Sequence, residues 1–148
     1  MYYAGFGALF FLVVGGYLYL SRTAFLRPVT GVWVGVLADE TDSKSAAVFL
    51  DTSVNPFHIF RPKLAGSVRM CSAQGEQDFQ LEHTRTVSAD TLGVMIGSEN
   101  PPESGRIFGA LRDGDFQALY TGTTRTLQGK LRRGTRASYQ QSCASLRQ

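Results

Sequence analysis

The sequence lacks the patterns that carry most enzyme chemistry. Its two histidines, His58 and His83, stand in unrelated contexts, with no H-E-x-x-H, C-x-x-C or histidine–carboxylate spacing around either. No G-x-S-x-G elbow presents a nucleophilic serine, and no G-x-x-x-x-G-K-[ST] loop cradles a phosphate. Both histidines therefore read as surface or core filler, and the chain gives no positive case for an enzyme, a metal centre or a cofactor. No RNA- or DNA-binding motif is present either, so nucleic acid is not an expected partner.

One stretch lacks charge altogether and a second lacks charge of one sign. Met1 to Leu20 reads MYYAGFGALFFLVVGGYLYL, and the first charged side chain is Arg22. At 1.5 Å per residue, Tyr2 to Leu20 covers roughly 28 Å, close to the hydrocarbon thickness of a bilayer. Tyr2, Tyr3, Tyr17 and Tyr19 bracket the run as interfacial aromatics do. A secretory signal would need a basic n-region and an A-x-A cleavage pattern, and neither is clear. The expectation is a single-pass anchor over residues 1–21 in a membrane of bacterial inner-membrane type. Arg22 and Arg27 on its C-terminal side point the following domain towards the cytoplasm. Ala4, Ala8, Phe11 and Gly15 fall at i, i+4, i+7 and i+11, a mostly small stripe on which another spanning helix could dock.

The second stretch lacks only acids. Residues 116–148 hold six Lys or Arg and no Asp or Glu, whereas residues 1–115 hold nine basic residues against all twelve acids. Arg125, Lys130, Arg132, Arg133 and Arg136 are the candidate surface for an acidic partner or anionic lipid, against the alternative of a plain solvated face. The two cysteines, Cys71 and Cys143, have no metal-ligand spacing. They would bridge in an oxidising compartment and stay as buried thiols in the cytoplasm.

What remains is strand-rich and long enough for one domain, 31–148, after a linker at 22–30 in which Pro28 stops helical continuation. Gly31 to Ala38 is β-branched and aromatic, and Ala46 to Leu50 is a second strand. Shorter candidates lie at His58–Phe60, Ser67–Cys71, Asp78–Glu82 and Thr91–Ile96. Asp113-Gly114 is a hairpin dipeptide between Arg106–Leu111 and a strand carrying Phe116, Ala118 and Tyr120 on one face. The next strand alternates, with Leu127, Gly129 and Leu131 on one side and Gln128, Lys130 and Arg132 on the other. Gly35, Gly109 and Gly129 at strand centres suggest bends or bulges. From Thr135 to Arg147 the period changes, and Tyr139, Cys143 and Leu146 form the stripe of a short amphipathic helix suited to covering a barrel end or sheet edge. The expected fold is thus a transmembrane helix plus an all-β domain, barrel or curved sandwich, closed by a C-terminal helix.

The Gly31-Val32-Trp33 triplet, the glycine-punctuated meander and the terminal helix resemble the lipocalin-like (calycin) barrels. The resemblance implies that Trp33 packs at the closed end of a barrel under a late arginine, a role several arginines here could fill, and that an apolar ligand could occupy the interior. The layout of one N-terminal helix, a basic exit and a β-rich domain also resembles the photosynthetic reaction-centre H subunit. Together these readings favour a non-catalytic accessory or stabilising subunit of a membrane complex, photosynthetic or respiratory among the options, whose partners are other transmembrane subunits and membrane lipid. The alternative is a membrane-tethered carrier of a lipid or other apolar ligand.

Overall fold

The computed structural model describes residues 12–21, 24–39, 44–55, 63–88, 91–99 and 102–148. Residues 12–21 form a helix, α1, whose ten residues span about 15 Å, half of a bilayer core. Among the described residues no helix is long and apolar enough to cross a membrane. This corrects both the transmembrane helix in the expected fold and the single-pass, inner-membrane location. The hydropathy of the run was read as a span, but the described helix has too few turns for one. The cytoplasmic placement rested on that helix and falls with it. In the docking stripe, Ala4, Ala8 and Phe11 lie outside the described residues. Gly15 has open space around its Cα, and Leu12 and Tyr17 are largely exposed.

The segment read as a linker is partly structured. Ala24–Val29 is a 3-10 helix, with Pro28 inside it, and its Leu26 and Val29 are fully buried in the core. Eight strands follow: β1 (Gly31–Ala38), β2 (Ser45–Val54), β3 (Leu64–Ser72), β4 (Gly75–Ser88), β5 (Thr91–Glu99), β6 (Pro102–Arg112), β7 (Asp115–Thr121) and β8 (Thr126–Arg133). Each pairs antiparallel with the next and β8 pairs with β1, so the sheet closes as an up-and-down barrel with no free edge. That resolves barrel against sandwich. The strand expected at His58–Phe60 lies outside the described residues.

Two-residue alternation decides which side chains go inside. Trp33 and Leu37 of β1, Val48 and Leu50 of β2, Val68 and Met70 of β3, Phe79 of β4 and Leu92, Val94 and Ile96 of β5 are buried, and Ile107, Phe116, Leu127 and Leu131 continue the set around the barrel. Each such residue taken out of water contributes about 1.5–3 kcal/mol. The buried polar side chain at the 3-10 end is Thr52, whose hydroxyl donates to the Val29 carbonyl at 2.8 Å.

The hairpin at Asp113-Gly114 has positive φ at both central residues, 54° and 83°, the backbone that a two-residue hairpin with right-handed twist requires. Of the bends or bulges expected at the glycines of strand centres, bulges are not what these glycines form. Register runs unbroken through Gly35, Gly109 and Gly129. The shifts fall in β4, between Leu81 and His83 and between Thr86 and Ser88. A Cβ on Gly35 would strike the Lys130 carbonyl, and one on Gly129 the Val36 carbonyl, so β1 and β8 close the barrel by close approach.

The last helix, α2 (Arg136–Leu146), is capped by Thr135, whose hydroxyl accepts from the Ser138 N–H while the Ser138 hydroxyl accepts from the Thr135 N–H. It covers neither an end nor an edge. It lies along the outside of β1, β2 and β3, where Tyr139 and Cys143 bury Val34, Ala47 and Cys71, with Phe49 and Leu146 packed alongside. The end of the barrel is closed instead by the 3-10 helix.

Candidate functional site

Three places in the barrel carry chemistry worth building from the residues: the closed end, the face under α2 and the face left bare.

At the closed end, Trp33 and Arg133 are register partners across β1 and β8. The Trp33 indole N–H donates to the Val29 carbonyl at 3.0 Å, fixing the 3-10 helix beneath the barrel, and its ring sits 5.7 Å from that of Phe116. The Arg133 guanidinium lies over the indole with its central carbon 3.9 Å from the ring centroid. It donates to the Pro28 carbonyl at 2.8 Å and to the Thr30 carbonyl. Partial burial lowers its pKa from the ordinary arginine value, although an arginine remains a cation throughout. The cation–π contact is worth about 0.5–2 kcal/mol depending on desolvation. Arg133 thus ties together β8, Trp33 and the segment before β1.

On the covered face, the bond between Cys71 and Cys143 pins α2 to β3. Beside it the Tyr139 hydroxyl donates to Glu76 at 3.0 Å. Arg69 donates to both Asp78 oxygens, at 2.5 and 3.1 Å, and stands 3.4 Å from Glu76. Burial, followed by the hydrogen bond to Glu76, raises the Tyr139 pKa, while the hydrogen bond to Asp78 outweighs burial and raises that of Arg69. Asp51, Glu76, Asp78 and Glu82 make the outside of β2–β4 predominantly acidic.

The bare face is the outside of β6–β8 and the adjoining half of β1. Phe108 is 49% exposed, Leu119 39% and Val36 40%, and Phe108 and Leu119 are direct cross-strand partners. Arg106, Arg112, Lys130 and Arg132 project around them, and Arg132 reaches Asp115 at 3.4 Å. An open trough of about 520 Å³ runs between the row of Phe108, Leu119 and Gln128 and the row of Ala110, Gln117 and Lys130.

The basic residues singled out in the sequence do not form one surface. Lys130 and Arg132 point outward from β8, Arg136 opens α2 on another side, and Arg125 sits in the β7–β8 turn, its carbonyl accepting from the Gly122 N–H at 2.9 Å. Arg133 is committed to the closed end. The residues that sequence reasoning missed are Val36, Arg106, Phe108, Arg112 and Leu119. Their signal was parity: Phe108 falls on the outward side of a strand whose inward side is Ile107 and Gly109.

The open end holds a hollow of about 380 Å³ lined by Lys44, Gln74, Gln77, Tyr120, Thr124 and Arg125, mostly polar groups. Among the described residues no group of three or more His, Cys, Asp or Glu could hold a metal ion. His58 and the His83 side chain lie outside what the structure describes. The chain gives no significant match to any family model, curated protein or solved structure.

Proposed function

We propose that this chain is a non-catalytic accessory module, a lipocalin-like barrel that is filled inside and acts on a larger protein assembly through its outside. The observation that carries this reading is the interior. Trp33, Phe79 and Phe116, with Met70, Leu92 and Ile96, are each less than 2% exposed, so side chains occupy the space where a carrier would keep its ligand. The lipocalin-like assignment is supported by the up-and-down closure, the Trp33–Arg133 stack and a helix lying along the barrel wall. The assembly need not be entered through a spanning helix. The Cys71–Cys143 bond favours an oxidising compartment for the domain.

Native mass spectrometry of the chain purified from its own cells at natural abundance tests this. A stoichiometric complex with another protein, free of small apolar adducts, is the expected result. A monomer carrying a lipid-sized mass would overturn it in favour of the carrier reading. One observation favours that rival: the hollow beside Tyr120 at the open end has a volume within the range of small-molecule sites, although its lining is mainly polar.

A further inference from the structure

We infer that the bare outer face of β6–β8 is a docking trough for an extended, acidic segment of a partner protein. The inference rests on the accessory reading and names its surface and the chemistry of its partner.

Apolar side chains on the outside of a closed barrel have two fates in this molecule. Val34, Ala47 and Phe49 are covered by α2, whereas Val36, Phe108 and Leu119 are covered by nothing in the described chain. On β5 the register partner of Phe108 is Gly93, which adds no side chain to shield the ring on that side. Arg106 lies one outward step, about 7 Å, from Phe108, and Arg112 lies two steps the other way. On β8, Lys130 and Arg132 lie one and two outward steps from Gln128, the residue in the row of Phe108 and Leu119, both on the Arg112 side. Against these four cations the described outward side chains of the same strands offer one acid, Asp115, already matched to Arg132, with Asp113 in the turn beyond. An anionic partner with apolar side chains complements that arrangement.

The shape selects among anionic partners. A bilayer meets the side of a barrel as a plane, pressing on Phe108 and Leu119 and leaving the trough between the two rows empty. An extended chain can lie in it. From β6 to β8 is about 10 Å, so roughly three extended residues cross the trough, and a peptide of six to eight residues overhangs it on both sides to meet Arg112 and Lys130 at its margins. A second copy of this chain is a poorer fit. Its acidic side, around Asp78, is already engaged by Arg69, and a contact between the basic side of one copy and the acidic side of the next is head-to-tail, which builds rings or filaments and no two-fold dimer.

The test is an array of octapeptides alternating leucine with glutamate, serine or lysine, probed with the full chain. Leucine–glutamate peptides bind, leucine–serine peptides bind about tenfold more weakly, and leucine–lysine peptides stay at background; binding falls as salt rises from about 0.05 to 0.5 M. The double change Arg112→Glu and Lys130→Glu reverses the preference between glutamate and lysine. Phe108→Ser, whose ring is 49% exposed, weakens binding to leucine–glutamate peptides about tenfold at a temperature at which its melting curve shows the variant still folded. Binding that ignores peptide charge overturns the inference. So does binding only to vesicles with about 30% phosphatidylglycerol, or self-association that Lys130→Glu abolishes. A silent array alongside a stoichiometric partner in the native mass spectrum discards the trough and keeps the accessory reading, whereas a lipid-bearing monomer discards the accessory reading itself.

Discussion

Two outer faces of one barrel differ in charge and in what covers them. Both carry apolar side chains where an up-and-down barrel would ordinarily be polar. Over β1–β3 the chain supplies its own cover, the helix α2 held by Cys71–Cys143, and Val34 and Ala47 fall to 7% and 0% exposure. Over β6–β8 it supplies none in the described residues, and Val36, Phe108 and Leu119 stay exposed within a ring of cations. The lesson is that an outward apolar residue needs a cover, and the cover can belong to another molecule. On the covered face such residues contribute to folding. On the bare face, in the proposed reading, they contribute to association.

Removing the bridge tests the covered face most severely. The cross-link closes a sequence separation of 72 residues, for which chain entropy gives about 4 kcal/mol. Cys71→Ser with Cys143→Ser should lose close to that in urea unfolding. A loss below about 1 kcal/mol would mean that α2 is held by packing alone.

Two neighbouring arginines on β8 separate structural from surface charge. Arg133→Ala removes the contact over Trp33 and the bonds to the Pro28 and Thr30 carbonyls, and should cost about 2 kcal/mol. Arg132→Ala, whose partner Asp115 stands 3.4 Å away at the surface, should change stability by less than about 0.5 kcal/mol. Equal effects would erase the distinction between them.

Tyr139→Phe is a smaller change on the covered face. Losing the bond to Glu76 should cost about 1 kcal/mol at neutral pH. The folded state holds the phenol neutral above the pH, about 10, at which the unfolded chain ionises it. Its contribution is whole below that pH and is lost as pH rises towards the folded value, so the parent chain should lose stability above about pH 10 more steeply than Tyr139→Phe. Chemical unfolding from neutral pH to about pH 11 reads the difference; parallel curves would count against the buried phenol.

A small effect on stability is expected on the bare face. Leu119→Ser should cost only about 1 kcal/mol, less than a core leucine would, because Leu119 is 39% exposed and only the rest of it leaves water on folding. A larger loss by calorimetry would show that the face is shielded in the free protein.

Much of this architecture was legible in the residues. The alternation of Leu127, Gly129 and Leu131, the Asp113-Gly114 turn and the stripe of Tyr139, Cys143 and Leu146 placed β6–β8 and α2 within a few residues of where they are. The length of β4 was hidden because its two register shifts break the period on which such reading depends. Hydropathy also reports apolarity and not the number of helical turns, and the described helix at 12–21 has too few turns to span a bilayer. The 3-10 plug at Ala24–Val29 was masked by Pro28, which reads as a stop. Part of the site was legible but passed over. The parity that turns Arg132 outward places Arg133 on the side of Leu131 and of its register partner Trp33, and counting all the cations as one patch ignored it. The same parity sets Phe108 opposite Ile107 and Leu119 opposite Phe116, Ala118 and Tyr120, and the register then shows these two outward residues meeting as cross-strand partners.

In the proposed reading this protein works through the outside of β6–β8, and not through its interior. Photo-cross-linking in its own cells tests it directly, with a benzophenone side chain placed at Leu119 in one strain and at Gln80, exposed on the far side of the barrel, in another. The account predicts one discrete protein adduct from position 119, competed by excess leucine–glutamate peptide, and none from position 80. Equal adducts from both positions, or adducts from position 80 alone, would contradict it.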